Sequence, residues 1–463
     1  MTELPSDPLD DGGIAAYSRR LRAGETTVEA VTRAYLDRIA AVDGRLGAYE
    51  HVASAQALAT SRALDGLLAA GTDLGPLMGV PVAIKDILAV NGMPVTAGSN
   101  IDVGDLIGTE GTFVGMLRRA GCVILGKVKT TEFALGTLMG INQVRGTPYN
   151  PWDPAIQRLP GSSSSGSGVA VAAGLCGFAV GSDTGGSVRL PAAYCGVFGL
   201  KTTKGIWPTD GVFPLSPTFD TVSILTRSAA DAGIVFATLQ GTDVPSVASP
   251  HGLRLGKPRS YFFDQLEPAV ATCLEEATTR LARVGVEIVP FELPESEEAG
   301  ATFDAVTTAE LIASLGRERF ARDRHRMDPV GEARAKLGLD VMADDYIRLI
   351  WRQRELVGIA HRRMRGLDGW LAPGSPMLPM PIAEAMTPDG ARRLTDVAGR
   401  TTRQTNLFGL CATCTPVQAL GAPLPVSLQV NCHGGRELKA LSIALLLEDL
   451  TGLPPRPDVT PFL

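Results

Sequence analysis

Along the first seventy residues, apolar positions recur at the three- and four-residue spacing of a helix. Val28, Val31, Ala34, Tyr35 and Ile39 share one such face, and Thr26 and Glu29 stand at capping-box spacing ahead of it. Residues 53–70 continue in an alanine-rich helical pattern. Beyond them the apolar runs shorten to strand length at 80–84, 122–125 and 178–180. Between the first two, residues 112–120 place Phe113, Met116, Leu117 and Ala120 on one helical face. Further on, 269–281 reads as helix, 284–289 as strand, 300–365 as charged helices that include Trp351, and 370–373 and 426–430 as strands. Short apolar strands alternating with helices predict an α/β architecture around a buried sheet. No repeat, low-complexity linker or charge block divides the chain, which predicts a single large domain over residues 1–463 with a helical N-terminal region over 1–70.

One stretch departs from this alternation. Residues 159–182 carry no charge over 24 positions, long enough to cross a bilayer. The stretch opens with Gly161-Ser162-Ser163-Ser164-Ser165-Gly166, too polar and too rich in turn residues for a spanning helix, so a buried glycine-rich loop and helix is expected. Hydrophobic residues make up 45% and charged residues 20%, which fits a globular core. A formal net charge of -6 argues against a nucleic-acid partner. Seven cysteines, an odd number, do not form a disulfide framework and point to a reducing compartment. The acidic, proline-broken N-terminus lacks the marks of a secretory signal, so a cytoplasmic protein without membrane attachment is expected. Only eight of the 43 basic residues are lysines, which draws attention to any lysine set in an apolar run.

Lys85 is one, at the end of Gly79-Val80-Pro81-Val82-Ala83-Ile84. A lysine is ordinarily protonated and useless as a base, and desolvation lowers its pKa by as much as several units. Left to itself such a lysine more often reaches water past its strand end. The second segment is the serine–glycine run 161–168, and the third is Gly181-Ser182-Asp183-Thr184-Gly185-Gly186-Ser187-Val188-Arg189. Serine is a poor nucleophile until a base takes its proton. Ser187 follows two glycines that let backbone approach a ligand closely, and successive N–H groups in such a turn hold an oxyanion.

Together these segments resemble the amidase signature family, whose pattern runs close to Gly-Gly-Ser-Ser-Gly-Gly-Ser and then Gly-Thr-Asp-Thr-Gly-Gly-Ser. Pro191-Ala192-Ala193-Tyr194-Cys195-Gly196-Val197-Phe198-Gly199-Leu200-Lys201 resembles its continuation, and Gly126-Lys127-Val128-Lys129-Thr130-Thr131-Glu132-Phe133-Ala134 another of its segments. The resemblance implies a central mixed β-sheet covered on both faces by helices, with a signature core over 79–230 and a variable helical region over 300–370 on the substrate side. It implies Ser187 as nucleophile, Ser163 as a bridging serine held by a cis peptide bond, and Lys85 as base. The backbone of Thr184, Gly185 and Gly186 is then the oxyanion hole. It further implies no metal or organic cofactor, a small-molecule amide or carbamate (urethane) substrate, and a monomer or homodimer. Ser162 and Ser165 stand where the family has glycines. Serine tolerates positive φ less well, so a slightly different loop shape is expected.

Other readings fit less well. A Ser-His-Asp hydrolase calls for Gly-x-Ser-x-Gly, and Arg189 occupies the place of its second glycine. No lysine has a serine three positions earlier, as a Ser-x-x-Lys enzyme needs. Cys411, Cys414, Cys432 and His433 invite a zinc site, but in apolar surroundings buried cysteines are the expectation. An ammonia-releasing glutaminase subunit of a tRNA-dependent amidotransferase is the alternative within the family. Leu190 and the stretch Trp207-Pro208-Thr209-Asp210-Gly211, which lacks a basic residue, weigh against it. Specificity is expected from residues 136–146, 207–214, 310–360 and 374–376, whose Leu, Met, Phe and Trp predict an apolar pocket.

Overall fold

The computed structural model describes residues 4–136, 138–397 and 399–463. Among them eleven strands join one mixed sheet. They are β1 Tyr49–Val52, β2 Pro81–Lys85, β3 Val123–Val128, β4 Phe178–Ser182, β5 Phe198–Lys201, β6 Val222–Thr226, β7 Arg254–Pro258, β8 Glu287–Phe291, β9 Gly369–Pro373, β10 Cys411–Pro416 and β11 Ser427–Cys432. Their spatial order is β1-β3-β2-β4-β6-β5-β10-β11-β9-β7-β8. Every residue of β2 to β6 and of β9 to β11 is buried, so both faces are covered, and this is why their sequences run apolar without alternation. Only the edge strands β1 and β8 and the strand β7 beside β8 show partly exposed positions. The fold is the expected one, a single large α/β domain on a mixed sheet.

The N-terminal region holds helices Gly13–Arg22, Val28–Leu46 and Ser54–Ala69, and it also supplies β1, which pairs antiparallel with β3. The second helix starts one residue later than its capping-box spacing predicts. Thr27, not Thr26, is the N-cap, accepting from the Ala30 N–H at 3.1 Å, because Asp65 takes the N–H groups of Val28 and Glu29. The strand expected at 284–289 begins at Glu287: Val284 caps the preceding helix and Gly285 turns the chain at φ 107°. The uncharged run becomes a loop, the buried helix Ser165–Ala172 and β4. Among the described residues no helix is long and apolar enough to cross a membrane.

Two parallel pairings fix the site. β2 lies between β3 and β4 and runs parallel to both, with Ile84 opposite Val180. Lys85 and Ser182 therefore end their strands at the same edge of the sheet.

Candidate active site

At that edge Lys85 is fully buried, and its Nζ donates to Ser163 Oγ at 2.7 Å and Ser182 Oγ at 2.8 Å. Comparison with the other buried lysines shows what is unusual about it. Lys127 meets the Asp86 carboxylate at 2.6 Å, and Lys201 donates to the carbonyls of Leu410 and Thr202. Lys85 has hydroxyl partners alone among the described residues. Burial lowers its pKa to about 7, against the opposing pull of Asp183 and Asp220. An amine in that state accepts a proton near neutral pH.

The serine run supplies Ser163 through a cis peptide bond between Ser162 and Ser163. Positive φ falls on Gly161, at 82°, and not on Ser162 or Ser165, so the two serines in place of glycines meet no backbone conflict. The Thr131 N–H donates to the Ser163 carbonyl and the Ser164 N–H to the Ser187 carbonyl, each at 3.1 Å, which lays the serine loop alongside Ser187. Ser187 is 8% exposed and faces a cavity, and its hydroxyl has no hydrogen-bond partner among the described residues.

The turn before Ser187 is shaped by Asp183. Its carboxylate accepts from the N–H groups of Gly186 at 2.8 Å and Val188 at 3.1 Å, and from the Arg189 guanidinium at 2.9 Å. Burial opposes its charge, but Arg189 more than offsets this and holds the carboxyl well below the usual carboxylate range. The Gly186 N–H, expected in the oxyanion hole, donates to Asp183 in this structure. The N–H groups of Thr184, Gly185 and Ser187 have no partner among the described residues. Replacing Asp183 by alanine leaves Arg189 charged and buried, with an expected loss of about 3–5 kcal/mol read by chemical denaturation.

The cavity in front of Ser187 has a volume of about 460 Å³. Its lining includes Thr184, Gly185 and Ser187, the apolar Leu135, Met139 and Leu215, and residues between Phe303 and Leu337. The regions 136–146 and 310–360 contribute as expected, although Thr137 lies outside the described residues. Trp207 does not: it is buried against Phe113 and Phe236, with ring centroids 5.0 and 5.7 Å away. Residues 374–376 also lie off the cavity. Nor is the wall wholly apolar, since Asp304, Arg334 and Arg403 line it.

The sequence profile of the amidase family matches residues 30–441. The chain belongs to the amidase family. It is a hydrolase of C–N bonds other than peptide bonds. This amidase is 38% identical to a 2-amino-5-chloromuconic acid deaminase of Comamonas testosteroni, over 95% of its own chain and 96% of the relative. It is 32% identical to one component of the Glutamyl-tRNA(Gln) amidotransferase of Geobacter metallireducens, over 89% and 91%. The crystal structure of a native peptide amidase from Stenotrophomonas maltophilia superposes with a TM-score of 0.83 at 27% identity, covering 98% of this chain and all of the other.

Reading the amidase from its sequence missed three groups in or beside the site. Asp220 accepts from Thr184 Oγ1 at 2.6 Å and the Ser216 N–H at 2.9 Å, and burial raises its carboxyl to about 7. A lone acid between Phe219 and Val222 was its only signal. Phe303 falls within the helical region 300–370 expected on the substrate side but is not distinguished there, and Arg403 lies beyond that region. The suspected zinc ligands do not all converge: Cys411 pairs across the sheet with Cys432, while Cys414, an odd number of residues on, points to the opposite face and donates to the Arg189 carbonyl.

Proposed function

We propose that this amidase cleaves an amide-type C–N bond, in an aryl or alkyl amide, anilide or carbamate, through an acyl-enzyme on Ser187. Neutral Lys85 draws a proton from Ser163, which draws one from Ser187 as its oxygen attacks the carbonyl. The free N–H groups of Thr184, Gly185 and Ser187 take up the developing negative charge. The proton returns through Ser163 to the departing amine, and water releases the acid. The observation that carries this reading is the buried Lys85 amine, 2.7 Å from the Ser163 hydroxyl and without a carboxylate partner among the described residues.

The reading has a signed pH dependence. Lys85 must be neutral to act, and its charged form dominates below about 7. The expected kcat/KM therefore climbs close to tenfold per pH unit below that point and levels off above it. A flat profile between acid and alkaline pH on an amide substrate overturns the assignment of Lys85.

The amidotransferase relatives support a second reading, release of ammonia from glutamine within a complex. Hydrolysis of a simple anilide by the isolated chain favours the free-standing enzyme, and activity confined to glutamine favours the second. The deaminase relative, named for an amino-substituted muconic acid, directs the choice of substrates toward small acids. All seven cysteines are buried and unpaired, which supports a cytoplasmic setting.

A further inference from the structure

We propose that the cavity is built for a substrate bearing a carboxylate, gripped by Arg403. The proposal rests on Ser187 being the nucleophile. It starts from a charge imbalance inside a mostly apolar wall. Arg334 donates to Asp304 Oδ1 at 2.6 Å and Arg403 to Asp304 Oδ2 at 3.1 Å. Two guanidinium groups around one carboxylate leave a single positive charge among the cavity-lining residues. In a concave, partly desolvated site such a charge is screened far less than on an open surface. A purely structural ion pair needs only one arginine.

The two arginines are not used alike. Arg334 spends its second bond on the Gly136 carbonyl at 2.6 Å and so ties two walls of the cavity together. Arg403 uses Nη1 alone. Its Nε and Nη2 have no hydrogen-bond partner among the described residues, and its side chain is only 20% exposed. Those two N–H groups form one edge of the planar guanidinium, with the spacing of the two oxygens of a carboxylate. The Phe303 ring lies 5.2 Å from the guanidinium carbon, which restricts the plane of the fork before any ligand arrives.

The position relative to Ser187 is equally constrained. Thr402, next to Arg403, donates from its hydroxyl to the Gly185 carbonyl at 2.7 Å. Phe303 packs so tightly on Gly185 that a Cβ there would come within 2.4 Å of the ring. One aromatic ring therefore separates the Arg403 guanidinium from the backbone that faces the scissile carbonyl. A substrate with its carboxylate a few bonds from its amide meets both at once.

The test compares the monoamide of a short dicarboxylic acid with the methyl ester of the same monoamide. For the native enzyme kcat/KM is expected to favour the acid by about 100-fold, as a desolvated charge pair allows. Arg403→Gln is expected to lower the acid's value by about 30-fold or more and the ester's by less than about 3-fold, with Arg403→Lys intermediate. Equal use of acid and ester by the native enzyme overturns the proposal, even if the variants fail to fold. Equal loss on both substrates in Arg403→Gln overturns it too. A neutral fluorophosphonate, followed by peptide mass, separates this from the nucleophile assignment. Labelled Ser187 without acid preference sinks the carboxylate site alone, whereas acid preference with Ser187 unlabelled sinks the nucleophile alone.

Discussion

Ser187→Ala is expected to reduce kcat by about 10⁴-fold or more while leaving the fold intact. The substitution removes one oxygen that has no partner among the described residues, so no buried donor or acceptor is left stranded. The expected change in stability is below about 1 kcal/mol, read from the denaturation midpoint. Loss of both activity and folding would leave the nucleophile unassigned, and retained activity would remove Ser187 from the chemistry.

The second large effect is expected at Lys85. Lys85→Met keeps the length and removes the base, so kcat/KM should fall about 10³-fold or more and the rise across neutral pH should vanish. The same substitution should leave a mark on stability. The folded pKa of about 7 lies below the ordinary 10.5, so between those values the unfolded chain binds more protons than the native one. Native stability therefore increases with pH across that window because of Lys85, and the methionine variant should lose this slope. Denaturant midpoints measured from neutral to alkaline pH decide it. An unchanged slope would mean that Lys85 is charged in the native enzyme.

What could be read along the chain was local. The apolar run ending in Lys85 and the turn at 181–187 each announce themselves, because strand burial and glycine turns are properties of neighbouring residues. The meeting of Lys85 with Ser163 and Ser182 depends on which strands pair and in what register, and the family resemblance, not periodicity, pointed to it. Strands β1, β5, β6, β7 and β10 do not stand out along the chain because their short sequences interrupt the apolar run with glycine or polar residues. The turn geometry hid one consequence: with Asp183 three residues before Gly186, its carboxylate reaches forward to accept from the Gly186 N–H. Trp207 looked like a pocket residue because a large aromatic near a motif suits either place, and its neighbours Phe113 and Phe236 lie far off in sequence. The same distance concealed Arg403.

The contact between Phe303 and Gly185 has a bearing on attempts to redesign this enzyme. The helix Ala299–Leu315 looks like a replaceable selectivity module, yet through Phe303 it is braced directly against Gly185, in the wall proposed to hold the reaction's charge. A graft that brings a smaller side chain to position 303 would remove the brace from that wall, so new substrate preferences obtained there should arrive with slower turnover. Lining residues that are largely exposed, such as Leu337, offer freer ground for directed evolution.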